Sequence, residues 1–151
     1  MILHGKMKTV QQMYLIDTNV ISELRKQNNA NRGVTNFMAE VKGSSAPCYL
    51  SVVTTGELKR GIEMIRHRGD NKQADVMTDW YTEVLTEFSD QILSIDKDVA
   101  SVWALLRVPN HENVLDKFIA ATALLYSLTV VTRNVKDYDR SGVGTLNPFT
   151  F

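Results

Sequence analysis

The sequence predicts an α/β domain built on a central parallel sheet of four to five strands with helices on both faces. Short, mostly apolar runs at 13–16, 49–53, 92–95 and 129–131 alternate with stretches whose apolar residues recur at helical spacing. The first run does not alternate apolar with polar, which suits a strand buried on both faces of a parallel sheet. It is also closed by Asp17-Thr18-Asn19, residue types that start helices.

Residues 13–16 form the first strand, after which Thr18 or Asn19 caps a helix with Val20, Ile21 and Leu24 inside and Glu23, Arg25 and Lys26 outside. A polar loop over 27–33 precedes a second helix carrying Val34, Phe37, Met38 and Val41, which stops at Gly43. Residues 49–53 make the second strand, and Thr54 and Thr55 lead into a helix over 57–68. Leu58, Ile62 and Ile65 form its apolar face, and Lys59, Arg60, Arg66, His67 and Arg68 form a basic, solvated one. A long amphipathic helix over 72–88 follows, with Val76, Trp80, Val84, Leu85 and Phe88 inward. The third strand is 92–95, and Val99, Val102, Trp103 and Leu106 mark the next helix. Pro109-Asn110 breaks the chain before a helix over 114–128 rich in alanine, at Ala120, Ala121 and Ala123. Residues 129–131 are the fourth strand and 144–147 an edge strand.

At 151 residues, with 44% hydrophobic and 23% charged, the chain has the composition of one ordinary globular domain. Its 17 basic and 17 acidic residues cancel, which excludes a grossly cationic nucleic-acid coat but not a local basic groove. The lone Cys48 can form neither an intramolecular disulfide nor a thiolate metal cluster, so a reducing, cytoplasmic home is expected. No apolar stretch approaches the ~20 residues a membrane span requires. Patterned sequence begins at Met13, so residues 1–12 are expected to be a tail or an upstream-start artefact, and 13–151 a single domain.

In a parallel sheet, ligands bind beyond the carboxyl ends of the strands. Asp17 follows the first strand, Glu57 follows the second, and Asp116 lies in the first turn of the helix before the fourth. Asn134 and Asp137 follow the fourth strand itself. Carboxylates gathered at one point repel one another and call for a cation, and hard oxygen donors without cysteine select Mg2+ or Mn2+. Such an ion can polarise a phosphodiester and activate water, so phosphodiester hydrolysis is the reaction this set fits best. Each residue also has an ordinary use: Asp17 as a helix cap, Glu57 and Asp116 as partners of helix dipoles, Thr18 and Thr132 as turn hydrogen-bonders. The glycines lack the spacing of a phosphate loop, and His4, His67 and His111 sit in polar surroundings that suit surface positions.

Residues 13–26, MYLIDTNVISELRK, resemble the opening of PIN domains, specifically the VapC-type toxins of bacterial toxin–antitoxin modules. Three further blocks follow in the family's order: YLSVVTTGEL at 49–58, DKFIAATAL at 116–124 and VTRNVKDY at 131–138. The resemblance implies a Mg2+- or Mn2+-dependent endoribonuclease, usually a homodimer, neutralised by a VapB-type antitoxin. It places the acidic quartet at Asp17, Glu57, Asp116 and the residue after Thr132-Arg133, which here is Asn134 rather than Asp. On this reading Asp17 and Asp116 hold the metal, Glu57 adds a ligand or positions water, and Thr132 and Asn134 support the cluster. Asp137 is the alternative occupant of the fourth position.

Single-stranded or loop RNA is the expected substrate, with tRNA among the targets the family suggests. The acidic pocket should attract a cationic antitoxin side chain, and the helices 57–68 and 72–88 should leave a groove for an amphipathic segment. A different class of function, a catalytically weak PIN-like RNA-binding protein acting by sequestration, is kept open by Asn134. A haloacid-dehalogenase-like phosphatase is disfavoured, because Asp17-Thr18-Asn19 lacks the second Asp of that signature.

Overall fold

The structure, a computed structural model, describes residues 11–109 and 111–151. The expected tail therefore falls largely outside the described residues, as do His4 and Asn110 of the Pro109-Asn110 break. Five strands form one wholly parallel sheet: β1 (Tyr14–Ile16), β2 (Cys48–Ser51), β3 (Ile92–Leu93), β4 (Thr129–Val131) and β5 (Thr145–Leu146), in the order β3-β2-β1-β4-β5. Six helices connect or follow them: α1 (Thr18–Leu24), α2 (Arg32–Ser44), α3 (Val52–His67), α4 (Asn71–Glu87), α5 (Lys97–Leu106) and α6 (Val114–Tyr126). Among the described residues no helix is long and apolar enough to cross a membrane.

The alternation of β1 residues between two cores explains why its run is apolar throughout. Ile16 joins Val20, Val34, Phe37 and Leu50 on the α1–α2 side, while Leu15 joins Ile119, Ala120, Val130 and Tyr138 on the α6 side. Both Leu15 and Ile16 are fully buried, so truncating either to Ala should cost about 2–5 kcal/mol. The alanines of α6 let that helix lie close on the sheet, with Ala121 and Ala123 completely enclosed.

Several boundaries differ from expectation. The second strand ends at Ser51, two residues early, because the Ser51 side chain accepts from the Val53 N–H at 3.0 Å and caps α3. The β-branched Val52 and Val53 thus begin a helix, and Glu57 lies a turn inside it rather than at its opening. Helix α2 starts at Arg32, inside the expected loop, and continues through Gly43 to end where Ser45 turns left-handed (φ 56°). Gly33 is required there, since a Cβ would meet the Pro148 carbonyl at 2.3 Å. Helix α6 stops at Tyr126, where Ser127 turns left-handed (φ 56°).

Helix α4 buries Ala74, Met77 and Val84, leaving Val76 57% exposed on the opposite side. Its N-terminal half packs on α3 through Ile62, Ala74 and Met77, so the expected groove between those two helices is filled. The concavity lies instead between α4 and α1–α2, over Ile21, Leu24, Met38, Trp80, Val84 and Phe88. The basic face of α3 is an exposed charged surface, with Lys59 and Arg66 reaching Glu63, and Arg66 also reaching Asp75. His67 and His111 are exposed as expected.

Candidate active site

The strand order reverses at β1: the chain moves outward to β2 and β3, then returns to place β4 on the other side of β1. The carboxyl ends of β1 and β4 flank that switch point, where parallel sheets open a crevice for ligands. Asp17 follows β1 and Thr132 follows β4, and the Asp17 N–H donates to the Val131 carbonyl at 2.9 Å.

Asp17 is the centre of a hydrogen-bond network and is only 5% exposed. It is itself the cap of α1, the position expected for Thr18 or Asn19, with Oδ1 accepting from the Thr18 N–H at 2.8 Å. Its other oxygen, Oδ2, accepts from the Thr132 hydroxyl at 2.8 Å, the Tyr138 phenol at 3.2 Å and the Asn19 amide at 3.3 Å. The helix cap and the candidate-site carboxylate are thus one group. Its partners are neutral donors that hold it in place.

Glu57 is brought in by α3. The Thr18 hydroxyl donates to its Oε1 at 2.9 Å, with the buried Thr54 hydroxyl 3.3 Å from that of Thr18. Partial burial, aided by the nearby Asp17 charge, pushes the Glu57 carboxyl above the usual range, against the lowering effect of the Thr18 bond.

Asp116 enters from the first turn of α6, half-buried. Burial, then the charges of Asp17, Asp137 and Glu57, push its carboxyl up to about 6, with only Lys117 opposing. Asp17, Asp137 and Glu57 are thus the negatively charged groups that act on the Asp116 carboxyl.

Asn134 occupies a different place from the carboxylates. It is exposed, and its backbone N–H, not its side chain, ties it to the centre through the Thr132 hydroxyl at 3.0 Å. Asp137 is also exposed, yet its charge is felt at Asp116.

Two members of the network were not foreseen. Asn19 bridges the sides of the crevice, donating to Asp17 and Thr132 and accepting from the Arg133 N–H at 3.0 Å. Tyr138, 1% exposed, packs its ring against Leu15 and Ile119 and turns its hydroxyl to Asp17. Asn19 stands in the Asp17-Thr18-Asn19 triplet and could have been noted there. Nothing in the pattern distinguishes the Tyr138 hydroxyl from a Phe ring in the same place.

Asp17, Glu57 and Asp116 offer oxygen donors of the type a hard divalent cation takes, and burial with neighbouring negative charge raises the Asp116 carboxyl. Among the described residues no three acidic, His or Cys side chains are arranged to chelate an ion by themselves. Mg2+ suits that arrangement, since it keeps several waters and takes one or two carboxylates from the protein.

This α/β domain, with a carboxylate crevice at its switch point, is of the PIN class. The PIN domain model matches residues 14–141, and the chain belongs to that family. It is 33% identical over 144 residues to Toxin FitB of Neisseria gonorrhoeae, an alignment covering 91% of this chain and 99% of that protein. It is 28% identical over 142 residues to VapC ribonuclease Y4jK of Sinorhizobium fredii, covering 91% and 98% respectively. The crystal structure of FitAcB from Neisseria gonorrhoeae superposes with a TM-score of 0.79 at 30% identity, covering 92% of this chain and all of that one.

Proposed function

We propose that this chain is a Mg2+- or Mn2+-dependent endoribonuclease, the toxin of a toxin–antitoxin pair, its single domain running from 13 to 151. The observation that carries this reading is the Asp17 carboxylate, fixed by Thr132, Tyr138 and Asn19 at the switch point and coupled in charge to Glu57 and Asp116. Relatives named a toxin and a VapC ribonuclease supply the context.

On this reading Asp17 and Asp116 would hold the cation, which when bound would supply positive charge to polarise the scissile phosphate and offset the charge developing there. Glu57, with a raised carboxyl and a hydrogen bond from Thr18, orients the attacking water and takes its proton. Thr132 keeps Asp17 in one rotamer, Asn134 offers a neutral oxygen at the rim, and Asp137 supplies the fourth negative charge. Single-stranded or loop RNA, tRNA included, is the substrate class, because splayed phosphates reach a recessed carboxylate crevice.

A VapB-type antitoxin neutralises the chain by laying an amphipathic segment into the apolar concavity between α4 and α1–α2 and placing a cationic side chain at the carboxylates. The working unit is a homodimer. Sequencing RNA ends after expression with and without the neighbouring reading frame tests the whole reading. Discrete new 5′ ends that vanish on co-expression support it, and growth arrest without new ends favours sequestration instead.

A further inference from the structure

The donors around Asp17 are shared unevenly between its two oxygens. Oδ2 accepts from the Thr132 hydroxyl at 2.8 Å, the Tyr138 phenol at 3.2 Å and the Asn19 amide at 3.3 Å. Among the described residues, Oδ1 accepts from the Thr18 N–H alone, at 2.8 Å. An ionised carboxylate has about four lone-pair sites, two on each oxygen. Three donors therefore leave Oδ2 no site for a cation, whereas Oδ1 keeps one. Thr18 also donates through its hydroxyl to Glu57 Oε1 at 2.9 Å. The Asp17 oxygen with a free site is thus the one tied, through a single residue, to a second carboxylate.

Tyr138 ends the short helix Val135–Tyr138 that follows β4, and its residue is fixed at both ends. The ring sits in the core with Leu15, Ile119, Ala120 and Val130. The backbone carbonyl accepts from the Ser141 N–H at 3.0 Å and from the Ser141 hydroxyl. A phenol keeps its proton well past neutral pH, so beside a carboxylate it donates. Burying that hydroxyl costs free energy that a phenylalanine here would not incur, and the bond to Asp17 offsets it.

The number of oxygens Asp17 can offer bears on which ion the site takes. Ca2+ gathers about six to eight oxygens and binds carboxylates through one or both of theirs. Mg2+ needs near-octahedral geometry, keeps several waters and takes few oxygens from the protein. We propose that Tyr138 is a positioning residue which, with Thr132 and Asn19, occupies Oδ2 of Asp17, so that Asp17 offers a cation Oδ1 alone and the site discriminates against Ca2+. The proposal rests on the metal-holding role given to Asp17 above.

The test titrates the full chain with Mn2+, alone and in competition with Ca2+, and reads free Mn2+ from its electron paramagnetic resonance signal. The parent should bind Mn2+, and Asp17→Asn should weaken that binding at least about tenfold. Tyr138→Phe should lower the ratio of the Ca2+ to the Mn2+ dissociation constant at least about threefold. Thr132→Val, which removes another donor from the same oxygen, should shift the ratio the same way. General loosening of the site weakens both ions by one factor and leaves the ratio where it was. An unchanged ratio in folded Tyr138→Phe, or in Thr132→Val should the first not fold, would overturn the proposal and leave the metal-holding role of Asp17 standing. Mn2+ binding that Asp17→Asn leaves undiminished would overturn both.

Discussion

The Thr132 hydroxyl donates to Oδ2 of Asp17 at 2.8 Å, joining the carboxyl ends of β4 and β1, 115 residues apart in sequence. The Thr132 hydroxyl oxygen in turn accepts from the Asn134 N–H at 3.0 Å, so one hydroxyl fixes both the carboxylate and the loop that leaves β4. Thr132→Val keeps the shape but removes one of three donors to Asp17 Oδ2 and the acceptor of the Asn134 N–H and the Asn19 amide. We expect a loss of about 1–3 kcal/mol in urea unfolding, with cleavage reduced more than RNA binding. Thr132→Ser should restore both.

Tyr138→Phe isolates a single hydroxyl. The ring stays packed against Leu15 and Ile119, and Asp17 Oδ2 retains Thr132 and Asn19 as donors. The cost should be about 0.5–1.5 kcal/mol of stability, measured by urea unfolding, with the core otherwise unchanged. A loss of several kcal/mol would mean that the hydroxyl has a larger structural role than its one bond.

Acid should act through Asp116. Its carboxyl is raised to about 6, so without metal the folded chain holds a proton there that the unfolded chain has already released. Stability from this group is complete below the ordinary Asp range and is lost as pH rises through about 6. Metal-free Asp116→Asn should therefore melt higher than the parent at pH 7, with the difference vanishing near pH 4. Cleavage should move the opposite way, falling as pH drops through about 6, because a protonated carboxyl cannot hold the cation. Melts and rates across this range check both signs.

The fourth position is tested by charge. Asn134→Asp adds a negative charge at the rim and should lower the Mg2+ or Mn2+ concentration that gives half-maximal cleavage. It should also lower the metal-free melting temperature. Asp137→Asn removes a charge felt at Asp116 and should raise that concentration while moving the acid limb of the pH–rate profile downward. Metal titrations of the two variants beside the parent decide it. Indifference to both would remove residues 134 and 137 from the site.

The sheet and its order of elements were legible because they follow from period and position, as was the placement of Asp17 beside a strand end. A strand buried on two faces must be apolar throughout, and the residue after it must face the crevice. The end of β2 was misjudged because Val52 and Val53 favour strands by propensity, and the Ser51 cap overrode that preference. The groove was misplaced because the helical stripe of α4 says which face is apolar but not which neighbour fills it. Met77 and Ala74 took α3, leaving Trp80 and Phe88 beside α2. The Tyr138 hydroxyl was invisible because a buried aromatic reads as core until its partner is seen.

Asp17 and Asp116 are proposed as the metal-holding pair of an RNA hydrolase. The most direct measurement is cleavage of total cellular RNA by the purified chain, its Asp17→Asn form and its Asp116→Asn form, each with Mg2+, with Mn2+ and with EDTA. The expected result is discrete cleavage by the parent with either ion, none with EDTA, and a loss of at least about a hundredfold in each variant while both remain folded. Undiminished cleavage by folded Asp17→Asn and Asp116→Asn proteins, or cleavage by the parent that persists in EDTA, would contradict it.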